Sequence, residues 1–448
     1  MPHRDRAMVF RRDRVALQAL NFFMADMEAG MGPFLGVLLA GRDWTTGTIG
    51  AVITLSAIVG MLTVAPAGAL IDATTRKRAC VVVVGLGAVA ASAVILISGR
   101  FWVVAAAQSV MCISGATIAP AVIGITLGLV GQAGFTAQNG RNQAYNHAGN
   151  MVGAAASGLV GWVFGYAGVF WLSVGFAGLA ILSVLAIPAA RIDNHIARGE
   201  AAEAGRPPIK GMRVLLESRP LLALAAALVL FHLGNAAMLP LYGLAVVATH
   251  ANPFITVAET VVVAQGVMIV ASLVAMRIAQ RHGYWPAILI AFGALPVRAL
   301  LAASTITTWG VIPVQILDGV GTGMLSAAVP GLVAGVLEGT GHINVGQGAI
   351  MAAQGLGGAL SPVLGGVVAQ HLGFPVAFAM LGALSLGSLV IWVGLAATVR
   401  PVDCARPPTG ANRRSESADP VGLPQPTPTI RQNGRHGLWC HLTSGFGR

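Results

Sequence analysis

The sequence predicts an all-α membrane protein, with twelve transmembrane helices arranged as two pseudo-symmetric six-helix bundles. Three observations carry that expectation. Of the 448 residues, 56% are hydrophobic and only 10% charged, where an average soluble protein carries about 25% charge. The apolar residues are gathered into runs of the length a bilayer crossing requires, about 20 residues each. Finally, the segment from Met31 to Gly36 recurs from Met238 to Gly243, an offset of 207 that other positions share.

Taken in order, the chain opens with a basic stretch, residues 1–14, holding Arg4, Arg6, Arg11, Arg12 and Arg14. The apolar run behind it contains Asp26 and Glu28 and lacks a small-residue cleavage site, so it reads as an uncleaved first span. Apolar runs broken by short polar segments place spans near 15–40, 47–70, 79–98, 102–129, 144–166 and 168–189. These six form the first bundle, 15–189. A polar linker, 190–218, precedes six more spans near 219–247, 255–278, 286–304, 309–337, 346–371 and 375–398, the second bundle of residues 219–399. Residues 400–448 are rich in Pro, Arg, Ser and Gly without a helical apolar period, which predicts a disordered tail.

Charge orients the spans. The formal net charge is +11, which in a soluble chain would suggest a nucleic-acid partner. Here all of the 27 basic residues except Arg42, Arg100 and Arg298 fall on one side of a twelve-span topology. The positive-inside bias accounts for them without a polyanion and puts both termini and the linker in the cytoplasm. The four cysteines have neither disulfide nor metal-ligand spacing. No metal or cofactor is expected.

The 207 offset also carries Gln108 to Gln315, Gly124 to Gly331 and Gly128 to Gly335, and an offset of 205 carries Gly153 to Gly358 and Gly161 to Gly366. Two parallel six-span halves joined by a linker are an arrangement used by transporters, with a substrate site between the halves near the midplane. A duplicated membrane-embedded enzyme is the alternative from a different class. It calls for a cluster of acids, histidines or metal ligands at one membrane face, and the sequence holds none.

Between the second and third spans runs Gly68-Ala69-Leu70-Ile71-Asp72-Ala73-Thr74-Thr75-Arg76-Lys77-Arg78. Gly68, Asp72, Arg76, Lys77 and Arg78 resemble the signature loop of the major facilitator superfamily, with Ala73 and Thr75 replacing the usual basic residue and glycine of its turn. In this reading Gly68 permits close helix approach, while Asp72 and the basic residues pair with one another or with a helix end. The corresponding second-half loop, Met276 to Gly283, has Gln280 in place of the acid. The resemblance covers about residues 10–400 and implies a twelve-span secondary transporter of a small molecule, monomeric, in the cytoplasmic membrane. Gly149, Gly153 and the Ser157-Gly158 pair resemble the glycine-rich motif of the antiporter branch, but Ala154 replaces its proline. The eleventh span, with Gly357, Ser361, Pro362, Gly365 and Gly366, lies closer to that pattern. The fourth-span antiporter signature keeps Gln108 but has Ala105 and Ser109 for its Arg and Gly.

The resemblance also implies that spans one, four, seven and ten line the central cavity. Those spans hold Asp26, Glu28, Gln108, His232, Asn235, Gln315 and Asp318, and Arg298 lies in span nine. An ionisable residue at the bilayer centre costs about 2.5–3.5 kcal/mol on insertion scales, so one that is present faces a cavity or a partner. Asp26 and Glu28 are about 200° apart around a helix, so one faces the cavity and the other a neighbouring helix. Span five opens with Arg141, Asn142, Asn146, His147 and Asn150; the three asparagines recur every four residues as one stripe, read as an interface or gate near the cytoplasmic mouth. Proton-coupled efflux of a small organic compound is the first functional reading, and proton-coupled uptake of a small polar metabolite the second. No phosphate-binding Gly-Lys-Ser/Thr loop is present to drive transport with ATP.

The charge bias makes the topology testable. Single cysteines at 249–253 should react with an impermeant thiol reagent added outside intact cells, and cysteines at 195–210 should be protected. The reverse pattern would overturn the orientation.

Overall fold

Inside a bilayer the backbone finds no water, so each N–H and C=O must be satisfied within the protein, and a single chain meets this with helices. The computed structural model of the protein describes residues 3–29, 32–194, 218–337 and 343–396, and among these residues it is helical without a strand. The predicted tail, most of the linker and the segment 338–342 lie outside the described residues.

The first half consists of α1 (His3–Ala29), α2 (Gly32–Ala40), α3 (Thr46–Ala73), α4 (Lys77–Ile97) and α5 (Phe101–Leu185). The second half consists of α6 (Arg219–Asn235), α7 (Met238–Val247), α8 (Pro253–His282), α9 (Trp285–Ser304), α10 (Val311–Val336), α11 (Ile343–Leu372) and α12 (Phe374–Gly394). Among the described residues, ten stretches are long and apolar enough to cross a membrane. One of them, Gln138–Leu185, runs for 48 residues, about 72 Å of helix, against a hydrocarbon core of about 30 Å. It turns back at Gly165, and α5 bends a first time at Gly131; both have φ near +68° with extended ψ, a conformation essentially restricted to glycine. α5 therefore supplies spans four, five and six. With α1–α2 as the first crossing, the chain makes twelve.

Two details differ from the sequence-based expectation. α1 begins at His3 rather than near residue 15, so part of the basic N-terminus is helical, and buried Asp13 pairs with Arg191 at 2.7 Å. The space beside Gly68 is open, with no neighbouring atom within 4 Å of the place a Cβ would occupy, so this glycine does not serve close helix approach in the state described.

The seventh span divides between α6 and α7, just ahead of Pro240. A proline lacks an N–H and disfavours helix in the residue before it. At this break the backbone N–H of Ala237 donates to Ser361 Oγ of α11 at 2.9 Å.

The halves meet along two helix pairs, α3 with α11 and the middle of α5 with α8. Small residues set both contacts. A Cβ at Gly50 would collide with the Pro362 carbonyl, and one at Gly366 with the Thr46 carbonyl. Gly158 and Gly161 similarly face Ala258 and Phe254. Hydrogen bonds join the first pair: Thr46 Oγ1 donates to the Gly366 carbonyl at 2.9 Å, the Gly47 N–H to Gln370 Oε1 at 3.2 Å, and the Val363 N–H to Thr54 Oγ1 at 3.1 Å. Phe254 also packs against Tyr166 and Phe34, with ring centroids 4.8 and 6.2 Å away. These contacts close the end of the molecule that bears residues 41–45 and 248–252.

Within the second half, Gly357 lets α11 lie against the Val229 carbonyl of α6. A methyl group there pushes on backbone that cannot yield, at a cost of about 1–3 kcal/mol. Gly357→Ala should therefore lower the unfolding temperature and membrane abundance, while Gly68→Ala should leave both unchanged. Equal behaviour of the two variants in the same thermal-shift and immunoblot measurements would contradict this packing.

Candidate functional site

Four polar residues from three helices of the second half converge. Arg298 of α9 is fully buried, and its Nη1 lies 2.8 Å from Asp318 Oδ1 of α10. The same nitrogen donates to Asn235 Oδ1 of α6 at 2.5 Å, and Nη2 donates to Gln315 Oε1 of α10 at 3.4 Å. Gln315 is fully buried and Asp318 is 8% exposed. One cation is thus held by a carboxylate and two amide oxygens. Among the described residues, Arg298 Nε and Gln315 Nε2 are buried without a hydrogen-bond partner.

The physical reason for the cluster is mutual dependence. Arginine is always charged and presents five donors in a planar fork. In an apolar interior it needs a counter-ion and further acceptors, and the removal of one partner from such a pair costs about 3–5 kcal/mol. Asp318 supplies the charge, Asn235 and Gln315 the extra acceptors. Gly319 and Gly323, on either side of this stretch of α10, let it lie close against α8, where a Cβ would collide with Val267 and with the Met268 backbone.

Other candidates stand apart from this group. Gln108 on α5 is partly buried, and its Oε1 is enclosed without a hydrogen-bond partner among the described residues. His232 on α6 places Nδ1 2.9 Å from the Leu228 carbonyl, one helical turn back, and packs edge-on against Phe231. Asp26 and Glu28 lie on α1, and their side chains fall outside the described residues, as does that of Asp72.

The asparagine stripe of α5 bonds locally. Gln138 Nε2 donates to Asn142 Oδ1 at 3.0 Å, and Asn142 Nδ2 to Thr126 Oγ1 at 3.0 Å. Asn150 Nδ2 donates to Asn146 Oδ1 at 3.2 Å, and Asn146 Nδ2 reaches the Asn21 carbonyl of α1 at 3.5 Å. These amides fasten span five to spans four and one. Arg141 is exposed. His147 points elsewhere: its Nδ1 lies 2.9 Å from Gln265 Oε1 of α8, so the histidine bridges the two halves. Gln265 does not stand out by any motif, although an amide inside the apolar run from Val261 to Val270 is a signal that could find it.

The basic residues between α3 and α4 close helix ends. Lys77 is buried, and its Nζ donates to the Ile71 and Thr74 carbonyls at 2.8 and 2.9 Å. Arg78 donates from Nε and Nη2 to the Val184 and Leu185 carbonyls at 3.1 and 2.8 Å. Both cations thus sit at helix C-termini, where unpaired carbonyls and the helix dipole favour positive charge. Arg76 is exposed. At the opposite end Arg42, which sequence reasoning missed, does the same for α4, donating to the carbonyls of Ile95, Leu96 and Ser98. Among the described residues no group of three or more His, Cys, Asp or Glu side chains is arranged to hold a metal ion.

The chain matches the family described as Major Facilitator Superfamily over residues 17–295. It is 38% identical over 390 residues to an uncharacterised MFS-type transporter of Mycobacterium tuberculosis (strain CDC 1551 / Oshkosh), covering 86% of this chain and 93% of the relative. A second strain of that organism holds a relative with the same figures. Among solved structures, the nucleoside transporter NupG superposes with a TM-score of 0.70, and a point mutant of it with 0.72. Each is 11% identical and covers 86% of this chain, and the match spans 98% and 99% of those chains. At that identity the likeness speaks for the fold alone. By the family match and the extent of the mycobacterial similarity, the chain belongs to the major facilitator superfamily and is a multi-pass secondary transporter.

Proposed function

We propose that this transporter exports a small organic compound across the cytoplasmic membrane in exchange for protons, by alternating access of the two bundles. Both termini face the cytoplasm in this reading, as the positive-inside bias indicates. The end closed by the α3–α11 and α5–α8 contacts is then the outer one, and the state described is closed to the outside.

The observation that carries proton exchange is the buried pair of Asp318 and Arg298. A proton and the guanidinium compete for the same carboxylate oxygen. Opening of the cavity between the bundles gives a proton access to Asp318, which is 8% exposed, without separating α9 from α10, and re-formation of the ion pair expels the proton. Asp26 and Glu28, on the cavity-lining first span, are the other two carboxylates available for the exchange. One elementary charge moved across 100 mV supplies about 2.3 kcal/mol, enough to concentrate a substrate roughly 50-fold.

The competing role for each acid is purely architectural, so abundance and transport must be measured in the same membranes. Asp26→Asn, Glu28→Gln and Asp318→Asn are tested in inverted vesicles, where substrate-induced collapse of an imposed pH gradient reports exchange. At least one variant should lose the gradient-driven signal while its abundance stays at the wild-type level. Since Asp318→Asn leaves Arg298 unpaired, the double variant with Arg298→Gln should recover any lost abundance without recovering exchange. Full gradient-driven exchange in all three single variants would refute the proposal. A gradient response of opposite sign would favour uptake.

A further inference from the structure

Proton exchange at Asp318 leaves its partner with a problem. Arginine stays charged throughout, so while the proton sits on Asp318 the fully buried Arg298 has lost the counter-charge that Nη1 meets at 2.8 Å. A buried cation without a counter-ion is costly unless dipoles solvate it. Two amide oxygens are in place to do so. Asn235 Oδ1 accepts at 2.5 Å from the same Nη1 that meets Asp318, and Gln315 Oε1 accepts from Nη2 at 3.4 Å, long enough to tighten. Protonated Asp318 keeps a carbonyl oxygen that accepts from Nη1. The bond survives the proton, and only the charge is lost.

The chemistry of the two acceptors is therefore decisive. A carboxylate at either position would give Arg298 a standing counter-charge, whereas an amide accepts the hydrogen bond and leaves the charge of the cluster to Asp318. Nothing else described around α10 competes. The helices packed against it are α6, α7, α8, α9 and α11. His232 of α6 bonds the Leu228 carbonyl, and Tyr242 of α7 donates to the Thr305 carbonyl. Glu259 of α8 stands five residues before Ala264, whose carbonyl faces Gly319, and so about 140° around that helix. Arg219, Arg277, Arg281 and His282 lie at the opposite end of the bundle, and His371 of α11 is exposed.

We infer that Asn235 and Gln315 are positioning residues for proton exchange: they hold and solvate Arg298 as neutral dipoles while Asp318 carries the proton, and so set the pH at which Asp318 takes it up. This role rests on the exchange reading above and deepens it. The sign follows from the charge. Without an amide, Arg298 depends more on ionised Asp318, so half-protonation moves to lower pH. With a carboxylate in the amide's place, Arg298 has a second counter-charge, and half-protonation moves to higher pH. A hydrogen bond to a charged group corresponds to a shift of about one to two pH units.

The test follows the infrared band of the protonated carboxyl against pH, in full-length transporter in lipid nanodiscs. Each spectrum is taken against the same background carrying Asp318→Asn, which isolates the Asp318 band from those of other acids. Gradient-driven exchange is measured in inverted vesicles over the same pH range. Asn235→Leu should move the midpoint of both profiles down by about one to two units, and Gln315→Leu should move it down by less. Asn235→Asp, nearly the same shape, should move it up by about one unit or more. A merely structural role would lower abundance without moving a midpoint. A wild-type midpoint in Asn235→Leu, or shifts of one sign in Asn235→Leu and Asn235→Asp, would overturn the role of the amides while leaving proton exchange standing. If Asn235→Leu does not reach the membrane, the opposed shifts of Gln315→Leu and Asn235→Asp decide. Midpoints that shift as stated without gradient-driven exchange would refute the exchange and support the amides' role. An Asp318 band that does not titrate in the wild type would overturn both.

Discussion

The need to satisfy backbone polar groups where no water is present governs this molecule more than any other single constraint. A helix meets it along its length but leaves carbonyls unpaired at its C-terminus. Three such ends are closed by a basic side chain: Lys77, just past it, at the end of α3, and the more distant Arg78 at the end of α5 and Arg42 at the end of α4. The break between α6 and α7 exposes an N–H, and Ser361 of α11 accepts it. Loop residues that sequence alone would leave in solvent therefore fix the ends of neighbouring helices. The loops tie together spans of the same half, which makes each half a coherent body.

Between the halves the contact is of another kind. Helices in lipid gain no hydrophobic free energy by associating, and packing of small residues with a few hydrogen bonds is what holds them. The α3–α11 seam places Gly50 and Gly366 against backbone and adds bonds from Thr46, Gly47 and Val363. The α5–α8 seam adds the bridge from His147 to Gln265. The ion pairs Arg298–Asp318 and Arg191–Asp13, by contrast, each lie within one half. Strong interactions inside the bundles and weaker ones between them are what a rocking transporter requires.

Much of the fold was legible because its signals are local or periodic. Apolar runs marked the spans, and the offset of 207 marked the two halves. Asn235, Arg298, Gln315 and Asp318 stood out because polar groups in apolar runs must find partners, and they find one another. The rest depends on contacts distant in sequence. Nothing near His147 indicates Gln265, 118 residues away, and a run of basic residues reads as a solvated loop until the carbonyls of α3 and α5 are seen beside it. The asparagine stripe is read from its spacing of four, but only the structure shows that it binds Thr126 and the α1 backbone. The open space at Gly68 is likewise invisible to a motif, which records residue types and not the neighbour a glycine would admit.

The central claim is that the α3–α11 seam opens and closes during transport, and a crosslink across it is the most direct measurement. Gly47 and Gln370 are already joined by a hydrogen bond from backbone to side chain. Cysteines at both positions should form a disulfide in the closed state. Oxidation should then stop substrate flux in proteoliposomes, and reduction should restore it. Flux at the uncrosslinked rate in fully oxidised protein would contradict the account.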